Sequence, residues 1–474
     1  MRRGRAAVLA LALAVVGCKV GPNYARPAAP ATPAFKELAG WKPTEPRDGI
    51  DRGAWWSVYA DPTLDGLMRQ VAISNQNVKT AEAAYRAAVA LIGEAQASLF
   101  PTLALAPGAA RSAVGARTST QYTAEGSAGW VLDVWGRIRR QVESQSAAAQ
   151  VGAADLANAT LSAQAALATA YFDLRGADSL VLLLDETLTQ YGRSLAITQN
   201  QYDAGTASRA DVLAADVQVQ AARAQLDTAG VARAQDEHAI AVLTGHPPAD
   251  LALPAAPLPD IVPVVPADVP SRLLERRPDI AAAERTIQQQ NALIGVAVAA
   301  YYPDISLSAV FGFAGDPLSS LFSVANRVWS LGGSAGEVLY QGGFLTAQVA
   351  AARANYDAAV ATYRQTVLTA FQQVEDQLSN LRILQLQAEA EDRTVAAAQR
   401  AVDVTLNEYR AGTVVYTSVI LEQTALLSAQ QAALTVQQSR MVASVALIQA
   451  LGGGWDVARL PPPASELPMP PLLP

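Results

Sequence analysis

The sequence holds one thiol, Cys18, and two imidazoles, His238 and His246. A thiol can carry an acyl or thioether group, and clustered thiols and imidazoles hold transition metals. One Cys and two His cannot build a Cys/His metal cluster. The one Gly-x-Ser-x-Gly match, Gly332-Gly333-Ser334-Ala335-Gly336, falls within a strand-like run and not at a strained strand-to-helix elbow that would present a nucleophilic serine. The pairs Gly332-Gly333 and Gly342-Gly343 fall at strand ends rather than in phosphate loops. His238 lies inside a helical run, where a packed or solvated imidazole is the ordinary reading. The sequence therefore reads as that of a protein without enzymatic chemistry and without a metal. What remains is Cys18, a signature Arg276-Arg277-Pro278-Asp279, and carboxylates beside two glycines, Asp211 after Gly205 and Glu422 after Gly412.

Cys18 sits where it can be modified. Arg2, Arg3 and Arg5 precede an apolar run, Ala6 to Val16, and Val15-Val16-Gly17-Cys18 ends it. This is the grammar of a secretory signal over 1–17. The run falls short of the roughly 20 apolar residues that span a bilayer. The junction resembles a bacterial lipobox, in which the Cys becomes the mature N-terminus and takes diacylglycerol and N-acyl lipid. Lys19 follows, where Asp would favour inner-membrane retention, so the outer membrane is the expected destination.

The chain has 35 basic and 42 acidic residues, and removing the three signal arginines leaves a mature charge near −10. Nucleic acid selects the opposite balance. No other stretch reaches 18 uninterrupted apolar residues, so any membrane span must be made of strands.

The elements that position these residues occur twice. Ala90-Leu91-Ile92-Gly93 returns as Ala292-Leu293-Ile294-Gly295, and Phe100-Pro101 as Tyr302-Pro303. Tyr202-Asp203-Ala204-Gly205-Thr206 returns as Tyr409-Arg410-Ala411-Gly412-Thr413. The reading is a lipidated segment over 18–62, a first repeat over 63–253, a Pro-rich linker over 254–270, a second repeat over 271–460 and a Pro-rich tail over 461–474. Each repeat starts with an Ala-rich helical run, 63–99 or 271–300, ended by Pro101 or Pro303. Strands follow, over about 101–135 and 303–342. Ile305, Leu307, Ala309, Phe311 and Phe313 alternate with small or polar residues, a period of two. Turns rich in Gly, Ser and Thr are expected near 112–120 and 314–320.

Then come helices of unusual length, 137–203 and 343–410, with returning helices at 206–245 and 413–451. Leu345, Val349, Ala352, Tyr356, Ala359, Tyr363, Val367, Ala370 and Val374 keep spacings of three and four, a coiled-coil-like seam. A run of ~67 residues would reach roughly 100 Å. Four strands cannot close a membrane barrel, whose smallest single-chain form has about eight. Other copies of the chain must complete it. The fold class expected is mainly α with a small β part: a shared β-barrel continuing into a barrel of long helices.

The chain resembles NodT-type efflux lipoproteins of the TolC-like outer-membrane factor family. The resemblance rests on Gly21-Pro22-Asn23-Tyr24 with Pro27, Trp55-Trp56 with Asp61-Pro62 and Leu64, and Trp130 with Asp133 and Trp135-Gly136-Arg137-Ile138-Arg139. It continues through Arg276-Arg277-Pro278-Asp279-Ile280 with Ala283-Glu284, and the Gly205 and Gly412 turns. It implies a homotrimer with a 12-stranded barrel and a 12-helix periplasmic tunnel, a periplasmic adaptor, an inner-membrane RND-type transporter and passive export of drugs, metals or other small molecules. The same fold serves type I protein secretion, which stays open as an alternative. A purely structural periplasmic coiled-coil lipoprotein would have no use for the strands.

The resemblance also implies that the tips bearing Tyr202, Gly205 and Asp211, and Tyr409, Gly412, Ser418, Leu421 and Glu422, close the tunnel and meet the adaptor. Asp211 matches a carboxylate of the family's constriction, while Ser418 and Leu421 depart from that pattern, with Glu422 beside them. Asp211 could instead serve its own helix end. A second, apolar barrier is expected from Val419, Ile420 or Leu421. Arg276, Arg277 and Asp279 are expected to cap and pair rather than gate, and Trp55-Trp56 to pack the N-terminal segment on the helices.

Overall fold

The computed structural model describes residues 19–30, 32, 34–37, 53–263 and 276–462. The signal segment, Cys18, the linker beyond residue 263 and the tail beyond residue 462 lie outside the described residues. The elements follow in chain order. The first repeat holds α1 (Pro62–Ser74), α2 (Gln76–Ala97), β1 (Thr102–Val114), β2 (Arg117–Leu132), α3 (Arg137–Asp203) and α4 (Arg209–Leu243). The second holds α5 (Pro278–Ala299), β3 (Asp304–Gly315), β4 (Arg327–Gly336), α6 (Phe344–Arg410) and α7 (Tyr416–Ala450).

The repeat is close to exact in length. α3 and α6 have 67 residues each, α4 and α7 35 each, and α2 and α5 22 each. The seam expected on α6 is real: Tyr363, Val367, Ala370 and Val374 are fully buried. α3 is enclosed on more sides than its seam implied, because α2, α5 and α7 all pack on it.

One expectation fails. The run 63–99 is two helices, α1 and α2, broken at Asn75. Asn75 caps α2, its Oδ1 accepting from Asn77 N at 2.9 Å and Val78 N at 3.1 Å. Asn is a strong N-cap residue, and here its preference outweighs the continuing helical periodicity. Its Nδ2 also donates to Leu243 O, the last residue of α4, at 2.8 Å. α2 therefore stands end to end on α4. The second repeat makes the same joint with other chemistry. Arg277, at the N-cap of α5, donates through Nη1 to Ala450 O at the end of α7, at 2.9 Å. It also grips Asp279 at 3.0 and 2.6 Å. The expected ion pair is present, and the joint is what it serves. Each chain thus supplies four helical tracks, two continuous and two jointed.

The core sits midway along these tracks. Trp55, Trp56, Leu64, Met68 and Val71 pack against Leu167, Tyr171, Phe172 and Leu174 of α3 and against Leu447 and Ile448 of α7. Trp55 Nε1 donates to Gln164 Oε1 at 3.1 Å, which satisfies the indole it buries. The beginning of the linker is tied to this core. Asp178, 1% exposed, accepts from Arg175 at 2.9 Å, Arg233 at 2.7 Å and Ala256 N at 3.1 Å. Arg175 and Arg233 reach on to Pro254 O and Leu253 O, and Glu237 accepts from Leu253 N at 2.6 Å.

A neighbouring carboxylate gives a pH-dependent expectation. Asp236 on α4 is pushed up from 3.8 to about 6, first by burial and then by Asp173 on α3. A carboxyl whose folded pKa is raised favours the fold only in its protonated form. Its penalty is complete above about pH 6 and fades as pH falls through that value toward 4. Asp236→Asn should raise the melting temperature at about pH 8 and leave it unchanged near pH 4, read by circular dichroism of the detergent-solubilised protein.

Candidate functional site

The four strands form one antiparallel meander in the order β1-β2-β3-β4, so β1 and β4 are open edges. Paired residues share a face, and the register sorts them cleanly. One face carries Leu103 and Leu105, Tyr122 and Trp130, Ile305, Leu307, Phe311 and Phe313, with Trp329 and Leu331. The other carries Ser112, Ser119, Gln121, Thr123, Glu125, Ser127, Ser306, Ser308 and Ser334. Large apolar residues on the first face are open, Leu103 at 80% and Leu331 at 77% exposure. Polar inside and apolar outside is the alternation of a barrel whose lumen holds water and whose wall meets lipid. Among the described residues no helix is long and apolar enough to cross a membrane. The strand stretches differ from expectation at their turns. β1 and β2 meet over residues 115–116, and residues 316–326 between β3 and β4 form short 3-10 turns.

All the helices hang from one end of the sheet, and the residues at that junction explain its motifs. Asp133 caps α3, accepting from Ile138 N at 2.8 Å and Arg139 N at 3.0 Å. Gly136 turns the chain there at φ +78°, which favours glycine. Trp135 donates to Pro303 O at 2.9 Å and stacks on Tyr302. Residues 19–24 cross this elbow as a strap. Val20 N donates to Trp135 O at 3.1 Å, Asn291 Nδ2 to Pro22 O at 3.0 Å and Tyr24 OH to Glu284 Oε1 at 2.7 Å. Arg140, with no exposed surface, donates to Val20 O, Gly21 O and Asn23 Oδ1 at 3.0–3.1 Å. Gly21, at φ +87°, lies so close to Gly295 that a Cβ would meet Gly295 Cα at 2.5 Å.

One open-edged, two-faced sheet, built from two strands of each repeat and hung with helices of this length, is a distinctive arrangement. Residues 67–246 and 269–453 match the family described as outer membrane efflux protein. The chain belongs to that family. It is similar to a probable efflux pump outer membrane protein, TtgC, of Pseudomonas putida, at 32% identity over 93% of both chains. It is also similar to outer membrane protein OprJ of Pseudomonas aeruginosa, at 29% identity over 95% of this chain and 96% of that one. The solved outer-membrane channel OprN superposes with a TM-score of 0.86 at 32% identity, covering 92% of this chain and all of that one. The open-state MtrE channel of Neisseria gonorrhoeae superposes at 0.82 with 26% identity, covering 92% of this chain and 98% of that one.

In this outer membrane efflux protein, three copies close the edges into a 12-stranded barrel above a barrel of helical tracks. It is a channel component of an efflux system in the outer membrane.

The far ends of the tracks hold the expected tip residues. Gly205 and Gly412 have φ of +77° and +76°, and each ends its long helix in the same way. Gly205 N donates to Tyr202 O and Thr206 N to Gln201 O; Gly412 N donates to Tyr409 O and Thr413 N to Glu408 O. This pair of bonds is the Schellman motif, and it accounts for the repeated Tyr-x-Ala-Gly-Thr. Past the turns the two tips part. Asp211 closes a capping box, its Oδ2 accepting from Ser208 N at 3.0 Å and Ser208 Oγ at 2.7 Å. The returning helix of the second repeat starts at Val415 without a side-chain cap.

Tyr202 is exposed, whereas Tyr409 is buried against Tyr416, with ring centroids 5.2 Å apart. Ala215, Tyr409, Tyr416 and Val419 form one small core that joins the hairpins. Val419 is 1% exposed, so it packs inside the chain and is corrected as a pore-lining residue. Ile420 packs partly against the same core. Ser418 and Glu422 are half-buried, and Leu421 stands open at 65%.

Sequence reasoning missed a polar stitch behind the tips. Tyr191 OH donates to Gln423 O at 3.2 Å, and Gln423 Nε2 to Ser194 Oγ at 3.1 Å. The spacing of Tyr191, Ser194 and Thr198 on one helical face was the signal available.

Proposed function

We propose that the chain is the lipid-anchored exit duct of a tripartite pump that expels small hydrophobic organic molecules. Its cargo comes from an inner-membrane RND-type transporter through a periplasmic adaptor that grips the tips. The observation that carries this reading is the two-faced, open-edged sheet continuous with four helical tracks. A water-lined path of that length suits the passage of solutes. Names of relatives support the cargo class: one similar Pseudomonas putida protein, at 32% identity, is called a toluene efflux pump outer membrane protein. The strap supports the anchor. Lys19 pairs with Glu143, and Val20 is fastened to Trp135 at the foot of the barrel, so acyl chains on Cys18 would reach the inner leaflet. Deleting the gene should sensitise the cell to toluene and hydrophobic drugs. If restoring it left susceptibility unchanged and instead restored export of a protein, the secretion reading would replace this one.

The tips are read as the gate. Leu421, open and apolar, supplies the ring that dewets the entrance, and Asp211 serves its capping box. Leu421→Ser should raise single-channel conductance in planar bilayers severalfold without lowering thermal stability. Asp211→Ala should lower stability by about 0.3–1 kcal/mol and leave conductance unchanged. The reverse pattern would return the gate to the Asp211 carboxylates.

A further inference from the structure

The outward face of the sheet carries two cations and no anion: Arg111 on β1 and Arg327 on β4. Each ends an apolar row. On β1 the row runs Leu103, Leu105, Pro107 and Ala109 to Arg111; on β4 it runs Ala335, Gly333, Leu331 and Trp329 to Arg327. Each arginine stands eight residues from the foot of its row, on the side away from the helices. At ~3.3 Å per residue and a tilt of ~40°, that is a climb of ~20 Å, close to the height of a barrel's apolar band. Both guanidiniums therefore sit at the outer border of the hydrocarbon, where lipid phosphates begin.

β2 and β3 carry Tyr122 and Phe313 near this level and no charge on this face. The two arginines lie on the two edge strands instead. Closure of the trimer sets β4 of one protomer about 4.8 Å from β1 of the next. Each seam thus brings together two arginines from different chains, above a wall of Leu103, Leu105, Trp329 and Leu331.

We propose that Arg111 and Arg327 form, at each seam between protomers, a binding surface for a phosphorylated glycolipid of the outer leaflet. The guanidinium fork matches a phosphate with two parallel hydrogen bonds. Two forks on two chains suit a headgroup bearing two phosphates, and its acyl chains lie along the apolar rows below. Such a lipid bridges protomers and so stabilises the trimer.

The test uses the purified full-length trimer in detergent. Native mass spectrometry counts bound lipid after incubation with diphosphoryl lipid A, with phosphate-free lipid A or with phosphatidylglycerol. Wild type should retain up to three diphosphoryl lipids per trimer, and the double variant Arg111→Gln/Arg327→Gln should bind at least about tenfold more weakly. Arg117→Gln, at the same end but on the lumen face, should bind as wild type does. The trimer mass in each spectrum reports that the variant has folded. Equal retention by wild type and the double variant would overturn the proposal. So would equal retention of phosphate-free lipid, or of phosphatidylglycerol.

Discussion

Arg140→Ala should detach the N-terminal strap and lower the melting temperature of the trimer more than any tip substitution. The Arg140 side chain is wholly buried and donates to two backbone carbonyls, to Asn23 and to Glu143. Its stem also packs where Gly295 has no Cβ, within 2.8 Å of where that atom would stand. Truncation leaves the Val20 and Gly21 carbonyls without donors and Glu143 with Lys19 alone. Breaking a buried, hydrogen-bonded charge cluster of this kind costs about 3–5 kcal/mol. Arg140→Lys keeps the charge but cannot reach three acceptors at once, so it should recover only part of the loss. Thermal unfolding in detergent reads the stability, and limited proteolysis near residue 24 reads strap release. An Arg140→Ala protein with wild-type melting and a protected strap would show that the strap is held by Tyr24 and Asn291 instead.

Asp178→Ala should be comparably damaging for a different reason. Asp178 faces two guanidiniums, Arg175 and Arg233, and one backbone N–H of the linker. Removing it leaves two positive charges near each other, held by backbone carbonyls, Glu237 and the face of the Tyr171 ring. The expected cost is about 3–5 kcal/mol, with the linker near Ala256 becoming open to protease. Asp178→Asn, which keeps the acceptor and loses the charge, should fall between. Protease resistance and melting equal to wild type in Asp178→Ala would mean that apolar packing around Leu258 holds the linker unaided.

These two clusters mark the boundary of what the sequence makes legible. The long helices can be read almost to the residue. Nothing in 137–203 or 343–410 interrupts them, and Gly205 and Gly412 supply the left-handed residue that ends each one. The two faces of the sheet follow from a period of two. Asn75 was readable as a cap, but a helical pattern on both sides hid it. Arg140, Arg175 and Asp178 could not be read as buried. On a helix they look like a solvated face, and their partners come from the strap and linker, far along the chain. The tips divide in the same way. The Tyr-x-Ala-Gly-Thr repeat locates both, yet only the packing of Tyr416 and Val419 makes Tyr409 a core residue while Tyr202 stays open.

The jointed tracks have a mechanical consequence. A continuous rod carries bending and torsion along its whole length, whereas a stack of two segments transmits thrust and little else. No covalent bond crosses the contact between Leu243 and Asn75, or that between Ala450 and Arg277; a side chain bridges each to a carbonyl. The wall of this tube is therefore a palisade in which stiff staves alternate with articulated ones. A twist applied at the periplasmic tips travels to the barrel through the stiff staves. The articulated staves pivot at mid-height and pass on less of it.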